Sequence, residues 1–303
     1  MDFVSITDES NNKYSYKRYN DYAFIKEVVG NVGDHLQDIS QLQCKTDDVL
    51  IGVFPKSGTH WLYNTVMMLR TGSLDYHGTP ILMEYQDINI IDNMISPRTF
   101  GSHLRFRFLP QEMRHGKGKV ITIIRDPKDI VVSLYHMLHC IGDVGYSGTF
   151  DGLLKRFFSE ECFWGNGSWF AWMKDVEEWK SSNLLCVSYK DFKENPYETI
   201  MKLATFLEVD HDEKFLRAVE KNVQFGVLKE SHNNETPASD RWKEITEDGR
   251  LPIYRKGQIG DWKNTFTVFQ KEWYDKICKE KTTEFGLALD VNFGEPENIP
   301  EKS

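Results

Sequence analysis

The sequence predicts an α/β fold: a central parallel sheet flanked by helices, in a single domain, with a P-loop-like loop at one strand end. Three observations predict it. The apolar runs at residues 49–54, Lys119–Ile124 and Leu184–Ser188 each read as a buried strand. Each is followed by a segment of helical spacing, and strand-then-helix units place their strands parallel under covering helices. No internal repeat, low-complexity run or linker interrupts the 303 residues, so residues 1–303 read as one domain.

The first unit is VLIGVFPKSGTHWLYNTVMML. The strand ends at Pro55, Lys56-Ser57-Gly58 turns the chain, and Leu62, Val66 and Leu69 share one face of a helix. A strand, a tight loop with a lysine and a helix start form an anion cradle. The first-turn N–H groups and the helix dipole favour negative charge, and Lys56 adds a full charge. Gly58 permits close backbone approach, while Ser57 and Thr59 offer hydroxyls. The lysine precedes the glycine, so this is not GxxxxGK[ST]. A plain strand–helix connection capped by Ser57 or Thr59 is the competing reading of this loop alone.

Upstream, residues 1–40 form a lead-in with an aromatic cluster (Tyr14, Tyr16, Tyr19, Tyr22, Phe24) and a short helix near 34–43. It is either a packed lead-in or one wall of an apolar pocket. Residues 72–80 read as loop, and Ser96-Pro97-Arg98 as a turn leading to Gly101-Ser102-His103. The second strand ends in Arg125-Asp126-Pro127-Lys128-Asp129. There Asp126 suits an N-cap, Pro127 the first helical position and Asp129 a capping-box acid. Arg125 falls at the carboxyl edge of the sheet, where ligands bind. Ser133, two turns on, reads as a helical serine. The glycine-rich stretch 141–150 breaks the pattern. Trp172, Val176 and Trp179 then form a core stripe, and after the third strand so do Ile200, Leu203 and Leu207. The polar stretch 231–250 reads as a connector or mobile lid. Beyond it, Arg255-Lys256-Gly257 and Gly260-Asp261-Trp262 make a loop suited to a phosphate, or a solvated turn.

Composition narrows the function. Net charge is −9, from 37 basic and 46 acidic residues, which argues against a nucleic-acid partner and requires a local basic pocket for any anion. No apolar run reaches the roughly 20 residues of a membrane span, and the polar first residues do not resemble a signal peptide. Five scattered cysteines without CxxC spacing suggest reduced thiols in a cytoplasmic protein, not a disulfide frame or a metal site.

Four segments, FPKSGTHWL, GSHLRFRFLP, IIRDPKDIVVSLYHM and RKGQIGDWKNTFT, together with VSYKDFKENP, resemble the cytosolic sulfotransferases in order and spacing. The resemblance implies transfer of a sulfonate group from 3′-phosphoadenosine 5′-phosphosulfate (PAPS) to a hydroxyl or amine of a small, largely apolar acceptor such as a phenol, steroid or alcohol, without a metal. It implies that Lys56, Ser57, Gly58, Thr59 and His60 hold the phosphosulfate and that Arg125, Ser133, Arg255, Lys256 and Gly257 hold the 3′-phosphate. Trp61, Tyr189 and Phe225 would enclose the adenine. His103 would be the base, Lys56 would stabilise the bridging oxygen, and Ser133 would pair with Lys56 until acceptor is present. Phe24, Ile81, Met83 and Met137 are acceptor-pocket candidates, and Lys263, Thr267, Val268 and Glu272 match a short homodimer motif. Specificity would sit near residues 14–25, 80–87, 137–150 and 225–250.

Three departures stand out. His60 replaces the second threonine of PKSGTTW, Gly101 replaces a lysine two residues before the histidine, and Val223 and Gln224 replace small hydroxyl residues. Impaired catalysis in a PAPS- or acceptor-binding protein, and a dehydratase on the same scaffold, are the alternatives. A P-loop kinase lacks its loop here.

Overall fold

The computed structural model describes residues 2–7, 13–141, 146–159, 162, 167–179, 181–234, 246 and 252–287. Among the described residues seven strands form two sheets: β1 (Asp2–Thr7), β2 (Lys13–Tyr19) and β3 (Tyr22–Ile25) are antiparallel, while β4 (Val49–Gly52), β5 (Thr99–Ser102), β6 (Lys119–Ile124) and β7 (Leu184–Ser188) are parallel in the order β5-β4-β6-β7. The helices are α1 (Val32–Ser40), α2 (Thr59–Thr71), α3 (Ile88–Asp92), α4 (Gln111–Arg114), α5 (Pro127–His139) and α6 (Phe150–Phe157), then α7 (Trp169–Glu177), α8 (Tyr189–Glu194), α9 (Pro196–Leu207), α10 (Glu213–Asn222), α11 (Phe225–Asn234) and α12 (Val268–Phe285).

Strand alternation splits the interior into two apolar layers. Val49, Ile51, Ile121 and Ile123 face a layer with Leu62, Val66 and Leu69 of α2 and Ile200 and Leu203 of α9. Leu50, Val120 and Phe100 face the other, which joins α5, α7 and the lead-in through Ile130, Leu134, Trp172, Tyr16 and Phe24. The antiparallel sheet and the parallel sheet therefore share one core, and the expected parallel sheet is there.

The structure adds what the sequence reading lacked. β5 directly follows the turn at 96–98 and does not read as a strand from sequence, because TFGS offers a single large apolar residue and its neighbours, not its composition, make it a strand. β2 carries Tyr14 and Tyr16 at period two, so the aromatic cluster is a sheet. Of the stripe Trp172, Val176 and Trp179, the first two lie on α7 and Trp179 lies just past its end. Of the expected lid, residues 231–234 finish α11, while 235–245 and 247–250 lie outside the described residues; so do residues 142–145 of the glycine-rich stretch.

Candidate functional site

Every parallel strand delivers one of the singled-out residues at its carboxyl end: Lys56 after β4, His103 after β5, Arg125 after β6 and Tyr189 after β7. The direction of chain progression reverses between β4 and β6, which is where an open parallel sheet leaves its binding crevice. Arg125 spans that crevice. Its Nη1 donates to the Lys56 carbonyl at 2.9 Å and its Nη2 to the Gln258 carbonyl at 3.4 Å.

The Lys56 loop has the form of an anion cradle. Lys56 sits at φ 67° and Gly58 at φ 117°; a non-glycine residue there is strained by ~1–3 kcal/mol and is held by its surroundings, here by Arg125. Gly58 is the N-cap of α2, and no side chain caps the first turn. The competing reading, a cap from Ser57 or Thr59, is thus not what forms. Ser57 is 1% exposed, and its Oγ has no hydrogen-bond partner among the described residues. An unmatched buried hydroxyl costs ~1–3 kcal/mol, which a ligand oxygen would remove. Lys56 Nζ lies 3.3 Å from Met137 Sδ, a weak acceptor. This contact is with Met137 and not with Ser133, the partner that the resemblance implies. Burial, then the charges of Arg125 and Arg255, lower the lysine to about 8. A cation pressed by two others and met by a thioether is suited to an anionic ligand.

The second basic group is neutralised from within. Asp261, 3% exposed, accepts from Arg255 Nη2 at 2.5 Å and Lys256 Nζ at 2.7 Å. Burial pushes its carboxyl upward, but these two partners together outweigh that and hold it below the ordinary range. Asp129 is not the capping-box acid its position suggests. Its carboxylate turns away from its own helix and accepts from Gly260 N at 2.8 Å and Trp262 N at 3.0 Å, fastening this loop to α5; Asp126 alone caps α5, accepting from Lys128 N at 2.8 Å. Gly257 has φ 61°, and a Cβ there would lie 2.2 Å from Phe225 Cδ2, so only glycine lets the ring lie on this loop. The Nε atoms of Arg125 and Arg255 are buried without a partner among the described residues.

Between the basic groups lies an aromatic cluster. Trp61 is edge-on to Tyr189 with ring centroids 5.4 Å apart and stacks on Phe192 at 3.9 Å. Lys193 Nζ stands 5.9 Å from the Trp61 ring and 5.7 Å from the Phe225 ring. Phe192 and Lys193 were missed by the sequence reading, although they lie within the quoted VSYKDFKENP segment. Asp129, Asp261 and Glu84 were missed as well, since none carries a motif of its own.

His103 is half-buried. Its Nδ1 is 2.8 Å from the Val53 carbonyl, which can only accept, so Nδ1 carries the proton and Nε2 is the basic nitrogen. Burial, and secondarily the charge of Lys56, lower its conjugate acid to about 4; the Val53 bond opposes them. His60 is held well below the ordinary range by burial and then by Lys56, His103 and His232, so it adds no charge to the cradle. Gly101 lies under the 80–82 segment, where a Cβ would come within 2.7 Å of Leu82 Cδ2 and 3.3 Å of Pro80 Cβ. Among the acceptor-side residues, Ile81 and Met137 retain surface, whereas Phe24 and Met83 are 0% exposed and belong to the core. Lys263, Thr267, Val268 and Glu272 are all exposed, and Thr267 also closes a capping box with Gln270 at the start of α12.

The donors form two basic cradles, one at the start of α2 and one at 255–260, with aromatic rings beside them. Comparison with known proteins identifies the family. The model of the sulfotransferase domain matches residues 46–286. An amine sulfotransferase of Oryctolagus cuniculus is 28% identical, with 85% of this chain and 88% of the relative covered. Sulfotransferase 4A1 of Homo sapiens is 31% identical over 84% and 87%. The crystal structure of mouse sulfotransferase SULT7A1 complexed with PAP superposes with a TM-score of 0.74 at 25% identity, over 88% of this chain and 95% of that one. Retinol dehydratase, at 16% identity and a TM-score of 0.74 over 93% and 92%, shares the fold. With its sheet edge, its two cradles and a domain match spanning most of its length, the chain belongs to the sulfotransferase family.

Proposed function

We propose that this protein moves a sulfonate group from PAPS to the hydroxyl, or amine, of a small and largely apolar acceptor, with His103 as the base. The observation that carries this reading is the junction at the sheet edge, where an uncapped helix start with an unmatched Ser57 hydroxyl and a cation-pressed Lys56 lies beside a histidine whose Nε2 is basic. The nucleotide would supply the sulfonate and a phosphate leaving group.

The remaining chemistry belongs to the chain. Lys56, Ser57, Thr59 and the first N–H groups of α2 hold the 5′ end, Arg125, Arg255 and Lys256 hold the 3′-phosphate, and Trp61, Tyr189 and Phe225 border the adenine. Arg meets phosphate with a planar fork, whereas Lys acts as a movable point charge. His103 Nε2 takes the acceptor's proton, and its neutrality above about pH 4 keeps it ready. Lys56 Nζ stabilises charge developing on the bridging oxygen, a contribution that is often the largest single one. Among the described residues no helix is long and apolar enough to cross a membrane, and all five cysteines are free.

Transfer of labelled sulfonate from PAPS to a panel of phenols, sterols, aliphatic alcohols and amines tests the reading. Turnover is the expected result and names the acceptor class. Binding without turnover on every acceptor would replace it with the binding-protein reading, and loss of sulfate from a sulfonated alcohol would replace it with a dehydratase.

Binding of the product nucleotide, 3′-phosphoadenosine 5′-phosphate (PAP), carries a pH signature. The free protein gives up the Lys56 proton near pH 8, well below the ordinary 10.5. An anion beside Nζ favours the charged form and raises that value. Binding therefore takes up a proton between about pH 8 and 10, and affinity falls as pH rises through that window. Calorimetry at pH 9 in buffers of different ionisation enthalpy measures it; zero uptake would separate Lys56 from the anion.

We also infer a homodimer through the start of α12, where Val268 and Phe269 are 76% and 73% exposed beside Thr267 and Glu272. Val268→Glu should convert a sedimenting dimer to monomer without unfolding it; an unchanged sedimentation coefficient, dimer or monomer, counts against the surface.

A further inference from the structure

Glu84 stands behind the catalytic edge in an unusual setting. It is 0% exposed, and among the described residues it has no ion-pair partner. Burial first pushes its carboxyl up, to about 7, against the hydrogen bonds it accepts. A buried carboxyl without a cation is costly, and it persists where its oxygens satisfy specific donors. Both oxygens here are used at one place. Oε1 accepts the His103 main-chain N–H at 2.7 Å, and Oε2 accepts the Ser102 hydroxyl at 3.0 Å. The Ser102 Oγ in turn accepts the Leu104 N–H at 3.0 Å. One carboxyl thus fastens His103 directly and both of its chain neighbours, at the point where β5 ends.

The other end of this strut is fixed too. The Glu84 carbonyl accepts from Val29 N at 3.1 Å, and His35 Nε2 lies 2.9 Å from the Met83 carbonyl. Gly101 N donates to the Ile81 carbonyl at 2.8 Å, so the segment before Glu84 already runs along β5. On the far side, His103 Nδ1 donates to the Val53 carbonyl, and Val53 N donates to the Ser102 carbonyl at 3.0 Å. Only the main-chain N–H and Nδ1 need be fixed to set where Nε2 points.

We infer that Glu84 is a positioning residue for the reaction: it holds the His103 main chain so that the imidazole, oriented by Val53, keeps Nε2 at the reacting oxygen. It touches neither nucleotide nor acceptor. The inference rests on the proposed role of His103 as base, and it adds that β5 alone, a four-residue strand with glycine at its third position, does not hold that base in register. Misplacing a catalytic group by about an ångström is sufficient to cost roughly 10²-fold in rate.

The test compares wild type, Glu84→Gln, Glu84→Ala and His103→Ala as full-length protein, with PAPS and the fastest acceptor of the panel, beginning with 2-naphthol. PAP affinity and hydrogen exchange of the His103 amide are read alongside. Glu84→Ala is expected to lower kcat roughly 30- to 100-fold, with acceptor KM and PAP Kd within about 3-fold of wild type, and to speed exchange at the His103 amide at least about tenfold while the β6 amides stay protected. Glu84→Gln keeps the shape and an acceptor for that N–H, and should restore kcat and protection to within about 3- to 5-fold. An alanine variant with wild-type kcat overturns the inference. So does a variant that loses PAP affinity and β6 protection together, or a glutamine variant no better than alanine. Full activity in His103→Ala overturns the base reading itself, and is distinguished because the Glu84 variants are not needed to see it.

Discussion

His103→Ala is expected to lower kcat by about 10²–10⁴-fold, the range a positioned general base contributes, with PAP affinity nearly unchanged because the ring does not belong to either cradle. The pH dependence makes the prediction specific. The conjugate acid of His103 lies near 4, against an ordinary 6.5, so its neutral, proton-accepting form persists well below neutrality. The acid limb of kcat/KM contributed by this group should therefore fall near pH 4. Stability carries the opposite face of the same shift. Between pH 6.5 and 4 the unfolded chain binds a proton at this residue and the folded chain does not, so acidification through that window destabilises the fold. Two and a half units at ~1.36 kcal/mol each amount to ~3 kcal/mol. Urea unfolding at pH 7.5 and pH 4.5 should show the alanine variant losing less stability than wild type by an amount of that order. Equal losses in the two proteins would show that burial does not lower the basicity of His103, and an alanine variant with wild-type kcat would remove His103 from the mechanism.

Lys56→Met is expected to cost more in function and to gain stability. The side chains are similar in length, and the left-handed backbone at this position is equally strained for both, so the change isolates the charge. Loss of a preorganised charge aimed at developing negative charge typically costs about 10²–10³ in kcat, and loss of a charged hydrogen bond to phosphate costs ~1.5–3 kcal/mol of affinity, or about 10- to 100-fold for PAP. Without ligand the sign reverses. The folded protein holds this lysine near 8 while the unfolded chain holds it near 10.5, so at pH 7 the charged form disfavours folding by roughly 3 kcal/mol. The ligand-free variant should melt above wild type, and added PAP should raise its melting temperature far less. Lower thermal stability in the ligand-free variant would show that Lys56 is not under electrostatic strain. Stability given up for function is common where a site must be charged and dry.

The contrast between what the sequence showed and what it hid follows from how local each signal is. β6 was legible because KVITII is buried along its length, β7 because LLCVS is a short apolar run even though Cys186 is exposed, and the start of α5 because Asp126 and Pro127 act within one turn. Lys56 and Arg125 were legible because they follow strand ends, and His103 only through the family string GSHLRFRFLP. β5 was not: its hydrogen bonds to β4 and the bridge between Leu82 and Gly101 come from residues about 20 and 50 positions away. Asp129 was misread for the same reason, since its partners Gly260 and Trp262 are more than 130 residues downstream. Glu84 had no signal at all, because a single acid in PILMEY gains its meaning only when folding brings it under His103.

Arg125 has a thermodynamic consequence. By donating to the Lys56 carbonyl on one side and the Gln258 carbonyl on the other, it makes the two cradles a single elastic unit. If anions occupy both cradles as proposed, occupancy of one end is expected to shift the affinity of the other, a coupling that is reciprocal by linkage. Adenosine 5′-phosphate and adenosine 3′-phosphate, each carrying half of the recognised charge, should bind with free energies that do not add up to that of the bisphosphate. A fragment inhibitor for either end would inherit only part of the grip that the whole nucleotide enjoys, because the other loop would be left without the anion that completes the tie.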